Sequence, residues 1–119
     1  MAAKYWNAIT DAELDIMKVL WKTGPVESSV IFATMETKRS KHIGTNKTLL
    51  TRLVRKGAIE RKALNSRRYL YTPVISKEEF INESRQWIIQ RIFDGDAMEM
   101  LTNLIREEKI TIESIEMAR

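Results

Sequence analysis

Residues 45–57 read TNKTLLTRLVRKG and carry the clearest structural signal in the chain. At 100° per residue, four aliphatic side chains fall on one side of a helix. These side chains are Leu49, Leu50, Leu53 and Val54. The other side carries Lys47, Thr48, Thr51, Arg52 and Arg55, and Gly57 follows, where a helix commonly ends in a left-handed residue. The pattern predicts an amphipathic helix from about residue 43 to residue 56, with one apolar face and one basic face.

The segments before this helix predict two more helices. Thr10 and Glu13 have the spacing of a capping box, so the first helix begins after Thr10 and ends at Thr23-Gly24-Pro25. The second helix is predicted from about residue 27 to residue 37. Its buried residues are expected to be Val30, Ile31 and Met35.

The segments after Gly57 predict a small hairpin. Residues 59–64 and 69–74 have the composition of two short strands, and the polar residues 65–68 between them suit a turn. Three helices followed by a two-stranded hairpin is the order of a winged helix-turn-helix. We therefore predict a fold that is mainly α with a small β hairpin, and we assign residues 1–75 to a winged helix-turn-helix DNA-binding domain.

The chain from residue 76 onward predicts a separate helical region. Ser76 and Glu79 repeat the capping-box spacing, Asp94-Gly95-Asp96 interrupts the helical pattern, and Thr111 is positioned to cap a last turn. Its apolar residues cover a face too wide for a lone surface helix. They are Phe80, Trp87, Ile88, Ile92, Phe93, Leu101, Leu104 and Ile105. We expect them to form the interface of a two-fold dimer, so residues 76–119 are a dimerisation region. The alternative is that these helices fold back on their own domain.

Charge is distributed unevenly along the chain. The segment from Lys38 to Arg68 contains eleven Lys or Arg and one acid, Glu60, although the whole chain carries only +4. A solvated surface normally mixes both signs, whereas a block of one sign attracts a polyanion. Because this block covers a predicted helix and hairpin, it indicates double-stranded DNA as a partner.

The third helix has the features needed to read a DNA groove. An α-helix fits the major groove, where short polar and long basic side chains reach base edges. We expect the major groove to be contacted by Thr45, Lys47, Thr48, Thr51 and Arg52, and a phosphate by Arg55. An incidentally basic solvent face is the alternative, but an ordinary exposed helix gains from acids paired with its bases. Asn46 falls on the apolar side, and we expect solvent or a backbone group near the helix start to satisfy its amide.

The predicted hairpin supplies further cations. These are Arg61, Lys62, Arg67 and Arg68, which we expect to contact backbone phosphates beside the groove. Such contacts position a protein on DNA without reading its sequence. The alternative is a charged sheet edge that prevents aggregation, and the two roles are compatible.

The sequence lacks the residues that several classes of function require. Cysteine is absent and His42 is the single histidine, which removes thiol chemistry and argues against a metal site or a catalytic base. No glycine-rich phosphate loop occurs, so we expect neither an enzyme nor a cofactor. No apolar run of about 18 residues exists and residues 1–7 lack a signal-peptide pattern. We therefore expect a cytoplasmic protein without membrane insertion.

Three segments resemble the penicillinase repressor family (BlaI, MecI and CopY). They are ITDAELDIMKVLW at residues 9–21, the block at residues 45–57, and FDGD at residues 93–96 followed by LTNL at residues 101–104. The resemblance spans nearly all of residues 9–117, and the block at 45–57 is its most specific part. The copper-responsive branch carries a carboxy-terminal cysteine motif that this chain lacks. The chain is therefore more similar to the BlaI and MecI type.

The resemblance implies a homodimeric transcriptional repressor that binds a dyad operator and controls β-lactamase or related antibiotic-resistance genes. It also implies a membrane sensor protease as a partner, which cuts the repressor in its dimerisation region. The family's Asn–Phe cleavage site corresponds to Asn103-Leu104, where Leu replaces Phe, and Leu104 is equally spaced as a core or interface residue. The last predicted helix ends at Arg119, earlier than in typical members, so a weaker dimer is expected.

The sequence alone also allows a function of another class. In this alternative the chain is a protein-interaction module on a winged-helix scaffold, and its acidic carboxy-terminal region binds a partner without specific DNA binding. DNA retardation at low salt separates the two functions, because only the repressor retains a duplex.

Overall fold

The computed structural model describes residues 8–38 and 43–119, and the side chains of residues 8–35 and 46–119. The helices are α1 (Asp11–Thr23), α2 (Ser28–Lys38), α3 (Ile43–Arg55), α4 (Lys77–Arg91), α5 (Ala97–Glu107) and α6 (Ile112–Ala118). The strands are β1 (Val26–Glu27), β2 (Ile59–Ala63) and β3 (Tyr69–Pro73). The chain divides into two compact units, and the division along the sequence falls within α4, between Glu83 and Ser84. The domain boundary at residues 75–76 stays a prediction.

Local sequence sets the starts of α1 and α4. The Thr10 hydroxyl accepts a hydrogen bond from the Glu13 N–H at 3.2 Å, and the Glu13 carboxylate accepts one from the Thr10 N–H at 2.8 Å. Ser76 and Glu79 exchange the same pair of bonds at 3.0 and 3.1 Å. Both predicted capping boxes are thus confirmed, and each satisfies amide groups that a helix start leaves unpaired.

Gly57 ends α3 in the left-handed conformation, as predicted. Its φ is +79°, a value that side chains with a Cβ rarely adopt. The Gly57 N–H donates to the Val54 carbonyl, and the Ala58 N–H donates to the Leu53 carbonyl, each at 3.0 Å. This pair of bonds is a Schellman motif, which turns the chain directly from α3 into β2.

The sheet has three strands where the sequence predicts two. The predicted hairpin is present, since β2 pairs antiparallel with β3 from Ile59 opposite Pro73 to Ala63 opposite Tyr69. The two-residue strand β1 pairs with the other side of β3, giving the order β1-β3-β2. Glu27 therefore lies in a strand, and the prediction that it starts the second helix is wrong. A strand of two residues is too short to show a periodic pattern.

The core of the first unit lies between α1, α2, α3 and the sheet. Its buried side chains include Ile16, Met17, Leu20, Ile31, Met35, Leu49, Leu50, Leu53, Ile59, Tyr71 and Ile75. The prediction for Val30 is wrong, because that side chain is 42% exposed. Full burial of an aliphatic or aromatic side chain contributes about 1.5–3 kcal/mol. This cluster is therefore the main stabilising feature of the unit.

Phe80 also belongs to the core of the first unit. It is 7% exposed, and its ring centroid lies 5.5 Å from that of Trp21. The Trp21 indole N–H donates to the Ile75 carbonyl at 2.9 Å, which satisfies its polar atom. Phe80 was expected at a dimer interface. Its burial within one chain corrects that expectation, since little of its surface remains for a second copy.

The second unit contains the end of α4 together with α5 and α6. Asp94 and Gly95 take positive φ values of 50° and 86° and end α4, and Asp96 caps α5 by accepting the Glu99 N–H at 3.0 Å. Trp87, Ile88 and Phe93 are half-buried. Large apolar side chains between 37% and 82% exposed follow them: Ile92, Met98, Leu101, Leu104, Ile105, Ile112, Ile115 and Met117. One face of α5 is therefore apolar and exposed in the single chain.

Candidate nucleic-acid interface

The two faces of α3 divide as predicted. Leu49, Leu50 and Leu53 are buried in the core, while Lys47, Thr48, Thr51, Arg52 and Arg55 are all exposed. The exposed five line one shallow, open depression on the helix surface. Thr45 lies outside the residues whose side chains the structure describes. The fold thus brings five of the six predicted helix contacts together on one accessible surface, which we call the basic face.

The basic face offers cations and short polar groups without neutralising acids. Lys47, Arg52 and Arg55 form no ion pair with any residue that the structure describes. The Thr51 hydroxyl donates to the Lys47 carbonyl of its own helix at 3.0 Å. The hydroxyl proton of Thr51 is therefore engaged in this bond. The methyl group and the oxygen lone pairs remain available to a bound ligand. A thymine methyl and a base-edge or water donor match those groups.

Lys56, in the same basic block, faces the protein instead. Its ammonium lies 2.6 Å from Oε1 of Glu13, and it also donates to the Ala8 carbonyl. Burial raises the pKa of Glu13, but hydrogen bonds from Lys56 and the Thr10 N–H outweigh it, so the pKa is lowered. This ion pair fastens the end of α3 to the start of α1. The sequence did not reveal it, because the capping box already accounts for Glu13.

Asn46 is the discordant residue of α3. Its side chain is fully buried, and neither its amide nitrogen nor its amide oxygen has a hydrogen-bond partner in the described part of the chain. The expected backbone partner is therefore not found among the described residues. An unsatisfied buried polar group costs about 1–3 kcal/mol, so an Asn46 amide without a partner would destabilise the helix that carries the basic face.

The hairpin tip holds two adjacent arginines in different environments. The Asn65 side-chain oxygen accepts the N–H groups of Arg67 and Arg68 at 2.9 and 3.0 Å and shapes the turn. The Arg68 guanidinium donates to both carboxylate oxygens of Glu27, from Nε at 2.6 Å and from Nη2 at 2.7 Å. Arg67 is exposed and makes no ion pair within the described residues.

The other two hairpin cations lie on β2. The Arg61 guanidinium carbon sits 4.5 Å from the centroid of the Tyr69 ring on β3, within the range of a cation–π contact. Such a contact orients the side chain without removing its charge. Lys62 is exposed beside it. Four predicted phosphate contacts thus lie on one hairpin, and Arg68 is the member whose charge is already paired.

Other kinds of site receive no support from the described residues. Within residues 8–38 and 43–119, no three histidine, aspartate or glutamate side chains are grouped so that they could hold a metal ion. The one histidine, His42, lies outside those ranges. None of the described helices combines the length and the apolar character needed to cross a bilayer.

Comparison with known proteins places this chain in a family. The family model for penicillinase repressors matches residues 9–118. The penicillinase repressor of Bacillus licheniformis is 28% identical over 107 residues, covering 90% of this chain and 83% of that protein. The methicillin resistance regulatory protein MecI of Mammaliicoccus sciuri is 24% identical over 111 residues, covering 93% and 89%.

A solved structure agrees with the winged-helix fold. The monomeric form of Bacillus licheniformis BlaI, in complex with the blaP half-operator, aligns with a TM-score of 0.51 and 32% identity. The alignment covers 60% of this chain and 85% of that chain. The predicted fold class and the resemblance are both confirmed. Because the family match spans nearly the whole sequence, this protein belongs to the penicillinase repressor family, whose members are DNA-binding transcriptional repressors and not enzymes.

Proposed function

We propose that this protein is a homodimeric repressor that binds a palindromic operator, with α3 in the major groove and the β2–β3 hairpin beside it. The observation that carries the proposal is the basic face: five exposed side chains, three of them cationic, stand opposite three buried leucines. A helix that is buried on one side and carries cations and short polar groups on the other is suited to a polyanionic groove. The half-operator complex of BlaI supports the same use of the fold.

The proposal divides the cations by role. Base edges are contacted by Thr45, Lys47, Thr48, Thr51 and Arg52. Backbone phosphates are contacted by Arg55, Arg61, Lys62, Arg67 and Arg68. Arg52 has the guanidinium fork that donates two hydrogen bonds to guanine, so it is the strongest candidate for base recognition. The hairpin cations supply affinity without discrimination.

Dimerisation uses the second unit. Ile92, Leu101, Leu104 and Ile105 are exposed apolar side chains, and Trp87, Ile88 and Phe93 are half-buried nearby in sequence. Burying such side chains against a second copy gives a favourable free energy of about 1.5–3 kcal/mol for each that is fully covered. A two-fold dimer then presents two basic faces to two half-sites about one DNA turn apart. Phe80 is left out of this interface because it is buried in the first unit.

The regulated genes and the mode of release extend the proposal. The names of the relatives support control of β-lactamase or related antibiotic-resistance genes. Release by a membrane sensor protease would cut at Asn103-Leu104, where both side chains are exposed. This bond lies inside α5, so a protease that binds extended chain requires local unfolding of the helix first. Leu104 also lies in the proposed dimer interface, so cleavage at this bond would disrupt the interface and dissociate the dimer.

Two measurements test the proposal. A gel shift with DNA from the promoter region of the protein's own gene should show retardation at low salt that weakens steeply as salt rises, because phosphate contacts release counterions. Sedimentation of the free protein should give the mass of two chains. Failure to retard DNA at low salt would favour the interaction module, and a strictly monomeric chain would remove the palindromic arrangement.

A further inference from the structure

We propose that Glu27 is an internal competitor for DNA phosphate, because its carboxylate occupies the guanidinium of Arg68 at the hairpin tip. Glu27 thereby limits the contribution of the hairpin to DNA affinity. The inference rests on the proposed function, since it assumes that the hairpin approaches the DNA backbone.

The contact has the geometry that a guanidinium uses for phosphate. Nε and Nη2 of Arg68 each donate to a different oxygen of Glu27, at 2.6 and 2.7 Å. Parallel paired bonds of this kind are the mode in which arginine binds both carboxylates and phosphates. Arg68 can therefore present these two donors to Glu27 or to a phosphate, but not to both.

The pair is accessible to an incoming phosphate. The Arg68 side chain is 59% exposed and that of Glu27 is 30% exposed, so water and DNA can reach both. A glutamate side chain is ionised at neutral pH, and the hydrogen bonds from Arg68 lower the pKa of Glu27 further. A surface ion pair of this kind is weak enough for a phosphate to displace it.

The backbone brings the two side chains together. Glu27 of β1 lies opposite Leu70 of β3, and Arg68 stands two residues before Leu70, so the pair is diagonal on one face of the sheet. The Asn65 side chain holds the Arg68 N–H from the turn side. Competition is thus built into the strand register of β1.

Arg67 provides the matched comparison. It is the neighbour of Arg68 at the same tip, yet it has no acid partner in the described chain. A phosphate approaching the tip meets the full charge of Arg67, whereas the charges of Arg68 and Glu27 cancel. Non-specific affinity depends on such phosphate contacts, so it is the quantity that Glu27 should change most clearly.

The test is Glu27→Gln, which removes the charge and keeps the shape. Binding to a random-sequence duplex is measured by fluorescence anisotropy over a salt series. The variant should bind roughly fivefold more tightly than wild type. The slope of log affinity against log salt should steepen by up to about 0.9 for each bound subunit, according to how far Glu27 keeps Arg68 from a phosphate in the wild type. In the Arg68→Gln background, the same Glu27→Gln change should leave the slope unaltered. Circular dichroism verifies folding, and Glu27→Thr, whose side chain suits a strand, repeats the test if the first variant is unfolded.

Arg67→Gln distinguishes failure of the Glu27 competition from failure of the proposed function. It should weaken binding and flatten the slope by about 0.9 whether or not Glu27 is present. If Arg67→Gln behaves in this way while Glu27→Gln leaves the slope unchanged, the competition is refuted and the proposed function stands. If Glu27→Gln steepens the slope equally with Gln at position 68, the effect is general electrostatics, and the competition is again refuted. If Arg67→Gln also has no effect, the hairpin tip does not contact DNA, so the competition is refuted and the proposed function fails for the tip.

Discussion

Replacing Asn46 by leucine should stabilise the first unit, because it removes a buried amide that has no partner among the described residues. Asn46 is fully buried on the side of α3 that also carries Leu49, Leu50 and Leu53. Leucine has the same number of side-chain heavy atoms with the same branching. Asn46→Leu therefore replaces two unsatisfied polar atoms by two methyl groups at nearly the same positions.

The magnitude follows from the two amide atoms. Each unsatisfied group costs about 1–3 kcal/mol of stability. Fitting the rounder methyl groups into a packed core offsets about 1 kcal/mol or more of the gain from removing them. We expect a net gain of about 2 kcal/mol in the free energy of unfolding. For a unit of this size, such a gain raises the unfolding temperature by roughly 10 °C.

The assay is urea unfolding followed by far-ultraviolet circular dichroism. Wild type and Asn46→Leu are compared at equal protein concentration, because dimerisation makes apparent stability depend on concentration. The midpoint should rise while the slope of free energy against urea stays the same. Asn46→Asp is the matched control, since it places a carboxylate at the same position and should lower the midpoint.

An unchanged or lower midpoint for Asn46→Leu would refute the reasoning. It would mean that the amide is satisfied, by a buried water or by a rearranged neighbour, and that leucine loses those bonds. A change in the urea slope would instead indicate that the variant alters how much surface unfolding exposes.

Three further predictions follow from other contacts. Glu13→Gln should cost about 2 kcal/mol at neutral pH by weakening the contact with Lys56. Because the pKa of Glu13 is lowered from 4.5 on folding, wild type should lose this advantage as pH falls below about 4.5, and an advantage that persists in acid would exclude the ion pair as its source. Arg52→Ala should weaken operator binding by about 1–3 kcal/mol and relax sequence preference, whereas an equal loss on random duplexes would limit Arg52 to a phosphate contact. Ile105→Glu should shift sedimentation towards the monomer while Thr102→Glu, on the polar side of α5, should not; a dimer that survives Ile105→Glu would place the interface elsewhere.

Local patterns predicted the parts of the fold that depend on neighbours in sequence. The capping boxes at Thr10 and Ser76 and the left-handed Gly57 follow from residues within a few positions of each other. The two faces of α3 follow from helical periodicity in the same way. These features could be predicted because their causes are local.

The contacts that sequence could not predict join distant segments. Glu13 and Lys56 are 43 residues apart, and Glu27 and Arg68 are 41 apart, so no spacing rule connects either pair. Strand β1 was missed for the same reason, because its two residues are defined only by pairing with β3. The apolar pattern of α4 likewise could not assign Phe80 to the core, since core and interface residues share one composition.

The Schellman turn at Gly57 has a consequence for how this protein can evolve new targets. Only Lys56, Gly57 and Ala58 separate α3 from β2, and backbone hydrogen bonds across them tie the two elements together. Under the proposed function, this short joint would orient α3 and the β2–β3 hairpin together on the duplex. Substitutions on the exposed side of α3 would then change which bases are preferred, whereas a residue inserted at the joint would misalign the hairpin with the DNA backbone.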